Sequence, residues 1–164
     1  MIGRRAFLGT VLGACAAWPF RSLPAFADLP DNIRPSAALS KALSAAIAAY
    51  RNEDLASGDA AALALNDPLA RLVAEWVALR TNPEKAGFDR IAAFLSHYRD
   101  WPTVAFIRRK GEEALYRDKH ATPEILSFFG AQQPLTPTGR YLKAMALQDE
   151  GRVKEASDTI RKAW

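Results

Sequence analysis

From residue 36 onward, apolar side chains return every three or four positions. Leu39, Leu43, Ala46, Ile47 and Tyr50 mark one face, while Ser40, Ser44 and Arg51 fall elsewhere, which predicts an amphipathic helix. Gly58-Asp59 is expected to break it, with Ala60–Leu65 as an alanine-rich second arm. Tyr50, Gly58 and Ala62 outline a TPR-like helical hairpin, although the full consensus is absent. Further stripes follow at helical spacing: Leu69, Leu72, Val73 and Trp76; then Phe88, Ile91, Leu95 and Tyr98; then Val104, Ile107 and Leu115. Tyr141, Leu142 and Met145, followed by Val153, Ala156, Ile160 and Trp164, line a final pair turning at Gly151. No run alternates with period two for long enough to predict a strand.

The helix starts share a device. Asp67-Pro68, Asn82-Pro83, Thr122-Pro123 and Thr136-Pro137 each place a capping side chain before a proline. The cap accepts from an orphan backbone N–H, and proline at the first helical position loses no useful donor. Short helices with tight corners are the expectation. The fold class is therefore all-α, an antiparallel helical-hairpin solenoid in which each pair relies on the next to bury its apolar face. Trp164 lies in phase with the last stripe, so the solenoid is expected to be incomplete at its C-terminal end.

Residues 1–27 read as an export signal, which implies a periplasmic location. Arg4-Arg5-Ala6-Phe7-Leu8 has twin-arginine form, and the apolar run from Phe7 to Phe20 is shorter than the roughly 20 residues a membrane span needs. Ala25-Phe26-Ala27 supplies a small–x–small cleavage site. Two alternatives stand beside this: an ordinary signal that carries two arginines, and a lipoprotein box at Leu12-Gly13-Ala14-Cys15 that would leave a lipidated Cys15. Residues 28–35, with two prolines, form a linker, and residues 36–164 form the helical domain.

The leader changes the meaning of the charge. The chain carries a net +4, but Arg4, Arg5 and Arg21 belong to the leader, which has no acid, leaving residues 28–164 at +1. A basic footprint for nucleic acid is therefore missing. Cys15 is the single cysteine, so a form cleaved after Ala27 has no thiol for a disulfide, a metal or nucleophilic catalysis.

The last third carries a resemblance. Trp101-Pro102, the segment Glu112 to Leu115, the corner Pro134 to Gly139, Gly151, Glu155-Ala156 and Trp164 follow one another in an order that resembles the α-superhelical region of soluble lytic murein transglycosylases. The resemblance extends over roughly residues 35–164 and rests on structural motifs. It implies a periplasmic scaffold beside a separate lysozyme-like domain, in which a catalytic Glu followed by Ser cleaves glycan strands to a 1,6-anhydro sugar. Peptidoglycan is the partner so implied, and the truncated superhelix is expected to self-associate. The chain contains no Glu-Ser dipeptide. A complete small TPR-like adaptor that binds another protein is the alternative from a different class.

No catalytic, cofactor or metal residue is assigned. Glu112 and Glu113 are adjacent, so on a helix they point about 100° apart and cannot act on one face. The family pattern has one Glu here, and Glu113 is assigned to it, as a structural hydrogen bond or ion pair between helices. His97 and His120 lack metal-ligand spacing. Arg108-Arg109-Lys110 reads as a solvated face, with contact to an anionic cell-wall polymer as the alternative. Trp76, Trp101 and Trp164 are in phase with apolar stripes and are assigned to core packing rather than to sugar stacking.

Overall fold

The structure is a computed structural model that describes residues 35–161; the leader, Cys15 and Trp164 lie outside the described residues. The described residues form eight α-helices and no strand, so the chain is all-α.

Helix α1 (Ala37–Arg51) opens where Ser36 Oγ accepts from Leu39 N, and buries Ala46 and Tyr50. It ends at Asn52, where Glu53 turns the chain with a φ of 59°. Asp54 then caps α2 (Leu55–Leu63) by accepting from Ser57 N at 3.0 Å. The break therefore falls at 52–54, not at Gly58-Asp59. Gly58 lies inside α2 because a Cβ there would collide with the Tyr50 ring. Glycine is needed for close approach of two helices, and the turn is made by Asp54 capping and Glu53 in the left-handed region.

Helix α3 (Pro68–Thr81) starts as expected, with Asp67 accepting from Ala70 N at 2.7 Å. Its buried face differs from the expected stripe. Ala70, Ala74 and Ala78 pack in a core with Ala46, Tyr50 and Leu65, while Leu69 is exposed. The small side chains let α3 lie close to α1, with which it packs. The opposite side of α3, through Leu79, Leu72 and Trp76, enters a second and larger core. α3 is thus a wall shared by two cores, which a single-stripe reading cannot describe.

Helix α4 (Pro83–His97) begins at Pro83 without a side-chain cap: Asn82 instead donates through Nδ2 to Tyr50 O at 2.8 Å, from a buried position. Its helical path is interrupted at Gly87 (φ 78°), and Asp118 accepts from Phe88 N at 3.3 Å where the helix resumes. Thr103, with a φ of 61°, leads into α5 (Val104–Arg117), so Trp101-Pro102 forms the preceding turn rather than the first helical turn. α6 (Thr122–Phe129) is preceded by Ala121, and Thr122 sits inside it, donating to Asp149 Oδ2. Glu124 reaches back to accept from Ala121 N, half of a capping box. α7 (Pro137–Asp149) has the expected cap, Thr136 Oγ1 accepting from Gly139 N at 2.9 Å. α8 (Val153–Arg161) follows a turn at Gly151 (φ 74°).

The larger core holds Leu79, Phe88, Ile91, Phe94, Ile107, Leu115, Ile125, Phe129 and Leu142, with Trp76 and Trp101 packed against it. Each fully buried Leu, Ile or Phe there stabilises the fold by about 1.5–3 kcal/mol. The two tryptophans therefore pack as expected. A small third cluster, Ala144, Leu147 and Ala156, joins α7 to α8. The expected stripe of that pair is mostly open to solvent: Tyr141, Met145, Val153 and Ile160 are exposed.

Candidate functional site

The most deeply buried carboxylate among the described residues is Glu112, on α5, at 0% exposure. It projects to the corner between α6 and α7. Its Oε1 accepts from Leu135 N at 2.8 Å, and its Oε2 accepts from Thr136 N at 2.7 Å and from Thr136 Oγ1 at 2.6 Å. Thr136 Oγ1 also accepts from Gly139 N, so one chain of hydrogen bonds runs from the first turn of α7 to α5. Gly139 is glycine because a Cβ would press on the Glu112 carboxylate. The structural role assigned to Glu113 thus belongs to Glu112. Glu113 is exposed and pairs with Lys110 at 2.7 Å. Helical phase explains the exchange. At about 100° per residue, Glu112 stands about 60° from buried Leu115, whereas Glu113 stands about 160° away.

The same corner takes in two cations. Arg108 donates through Nη2 to Gln133 O at 2.9 Å and stands 3.8 Å from Glu112. Burial pulls its pKa down, opposed by the Glu112 charge. Lys143, which is buried, donates to Gly130 O and Gln132 O. Of the run Arg108-Arg109-Lys110, then, Arg108 is a half-buried structural donor and only Arg109 is fully on the solvated face. A carboxylate engaged by backbone amides and a hydroxyl in a sealed corner has no opening to a substrate, so this constellation is a joint and not a general acid.

A second polar cluster links four helices and was not foreseen. Arg90 on α4 donates to both oxygens of Asp59 (2.9 and 2.7 Å) and to both oxygens of Glu75 (2.8 and 2.7 Å). Tyr50 donates to Asp59 Oδ1 at 2.9 Å. Burial acts to raise the Asp59 pKa, but the bonds from Arg90 and Tyr50 outweigh it and hold the carboxyl below its usual value. Burial first, then Asp59, pushes the Tyr50 hydroxyl up. Glu75 and Asp59 hold Arg90 firmly protonated. No sequence motif joins these four residues, which come from four separate helices. They line a cleft of about 650 Å³, but nearly every donor of Arg90 is already used within the cluster.

The larger cavity is an open groove of about 1050 Å³ along α4, α5 and α6, with Leu95, Val104 and Phe128 on its apolar lining. Arg99 and Arg108 line it too, as does Glu124, whose carboxyl is held down by the hydrogen bond to His120. His120 itself stacks on Phe88 at 4.3 Å, and His97 is exposed at the end of α4. Among the described residues no group of three metal-ligating side chains assembles. No helix among them is long and apolar enough to cross a membrane. No protein-family model matches the chain, and no curated protein or solved structure matches it.

Proposed function

We propose that residues 35–164 are the helical scaffold portion of a periplasmic lytic transglycosylase, working on peptidoglycan strands with the glycosidic chemistry carried outside this segment. The observation that supports the reading is the corner at Glu112. Of the residues that carry the resemblance, Glu112, Leu115, Pro134 and Gly139 are buried, and Glu112 and Gly139 meet at the joint, with Pro134 preceding the Leu135 amide that donates to Glu112. That is the use a scaffold makes of such a motif. Gly151 at the α7–α8 turn and buried Ala156 fit the same pattern. Glycosidic cleavage needs a carboxylic acid kept protonated in an accessible cleft, whereas Asp59 and Glu124, the acids that line the cavities with a shifted pKa, are both held ionised.

The test is to read the coding frame beyond codon 164 and to incubate both lengths of protein with cell-wall sacculi. An in-frame lysozyme-like segment with Glu-Ser, and anhydro-muropeptides from the longer protein alone, is the expected outcome. If neither length releases them, the assignment fails. If residues 28–164 release them and Glu113→Gln stops it, the scaffold reading is wrong. The second reading is a protein-binding adaptor, and the open apolar face of α7 and α8 favours it. A stop codon after Trp164 with a co-purifying protein lost on Tyr141→Asp would select it.

A further inference from the structure

We infer that the groove along α4, α5 and α6 docks an amphipathic helix of about three turns from a partner chain, acidic at one end and basic at the other. This goes beyond the scaffold reading and does not depend on it. The groove lining contains three ionisable side chains, and they are segregated. Arg99 follows the C-terminal end of α4, and Arg108 is in the first half of the antiparallel α5, so both lie at one end. Glu124 lies at the other end, where His120 bridges it to Phe88 near the start of α4. Phe88 to His97 spans nine positions of α4, about 14 Å along its axis at about 1.5 Å per residue, and Arg99 lies beyond its end, which together match a helix of about three turns. The rest of the lining is largely apolar, through Leu95, Val104 and Phe128, with Ser96, Ser127 and Gln132 among it.

The walls decide the kind of occupant. They are the sides of α4, α5 and α6 together with the segment between α6 and α7, where the backbone groups of Gly130, Gln132 and Leu135 are already engaged with Leu126, Phe129, Lys143 and Glu112, so no strand edge is offered to an extended peptide. A helix brings its own backbone satisfied and presents apolar anchors at three- and four-residue spacing. A single-headed acidic amphiphile would match the arginine end but leave its tail beside Glu124. Arg99 has no hydrogen-bond or ion-pair partner among the described residues, so its charge is available.

The probes are three hydrocarbon-stapled helices of twelve residues with the same leucine face, titrated into the full chain at low salt. One carries Lys at one end and Glu at the other, one carries Glu at both ends, and one carries Lys at both. The mixed-charge helix is expected to bind most tightly, by about fivefold over the others, the scale of one exposed ion pair lost. Arg99→Glu should move the preference to the all-lysine helix, and Glu124→Lys should move it to the all-glutamate helix. Ser127→Trp, at an exposed position on α6, should fill the groove and remove binding of all three while circular dichroism stays unchanged. Binding by none of the helices, or a preference that neither charge reversal moves, overturns the proposal. So does concentration-dependent self-association abolished by Ser127→Trp, which would make a second copy the occupant. Displacement of the helix by a fatty acid, unaffected by Glu124→Lys, would overturn it in favour of a lipid.

Discussion

Two adjacent glutamates, one residue apart in sequence, have opposite fates. Glu112→Ala would leave Leu135 N, Thr136 N and the Thr136 hydroxyl without their acceptor in a buried corner. The expected loss is about 3–5 kcal/mol, the range for removing one partner of a buried charged contact. Glu113→Ala removes an exposed pair with Lys110 and should cost less than about 0.5 kcal/mol. Urea unfolding followed by far-ultraviolet circular dichroism compares them, and equal midpoints would refute the assignment. The sequence contained the information needed here, because the phase of Ile107, Gly111 and Leu115 selects Glu112. What it lacked was the partner: nothing local says that a carboxylate on α5 must serve amides 23 and 24 residues later.

At the scale of elements, glycine inside a helix gives an unusually clear sign test. Replacing a solvent-exposed mid-helix glycine with alanine ordinarily stabilises by about 0.5–1 kcal/mol. Gly58→Ala should instead destabilise, by about 2 kcal/mol, since the new methyl meets the buried ring of Tyr50. A melting temperature that rises would mean α1 and α2 are not packed this way. Helices and their amphipathic periods were legible in the chain, as were the caps at Asp67 and Thr136. The boundary between α1 and α2 was misplaced because glycine serves two purposes, turn and close approach, and local sequence does not distinguish them. The alanine face of α3 was missed for a related reason. Alanine contributes little to a hydrophobic pattern yet is ideal where two helix backbones nearly touch.

Across the whole molecule, the Tyr50–Asp59–Arg90–Glu75 cluster ties the alanine-rich core to the larger one. Asp59 has its pKa lowered from 3.8 in the fold, so its contribution is fully present above that value and is lost as pH falls through the lower folded value. Asp59→Asn should therefore cost about 1 kcal/mol at neutral pH, discounted for partial exposure. The mutant and parent stabilities should converge below pH 4. Denaturant titrations across pH 3 to 7 on both proteins check this, and a constant gap would contradict it. The cluster was invisible in sequence, because its members are brought together only by the crossing of four helices.

The carboxylate joint at Glu112 also has a consequence in time. Leu135 and Thr136 precede α7 in a connecting segment, where amide protons usually exchange with solvent within local fluctuations. Here their amides donate to a side chain that solvent does not reach. Releasing them requires α5 and α7 to part, an event as rare as opening the larger core itself. These two loop amides should rank with the slowest protons in the molecule, beside those of Ile107 and Leu142, and slower than the helical amides of α8. In deuterium exchange followed residue by residue, the loop would look like core.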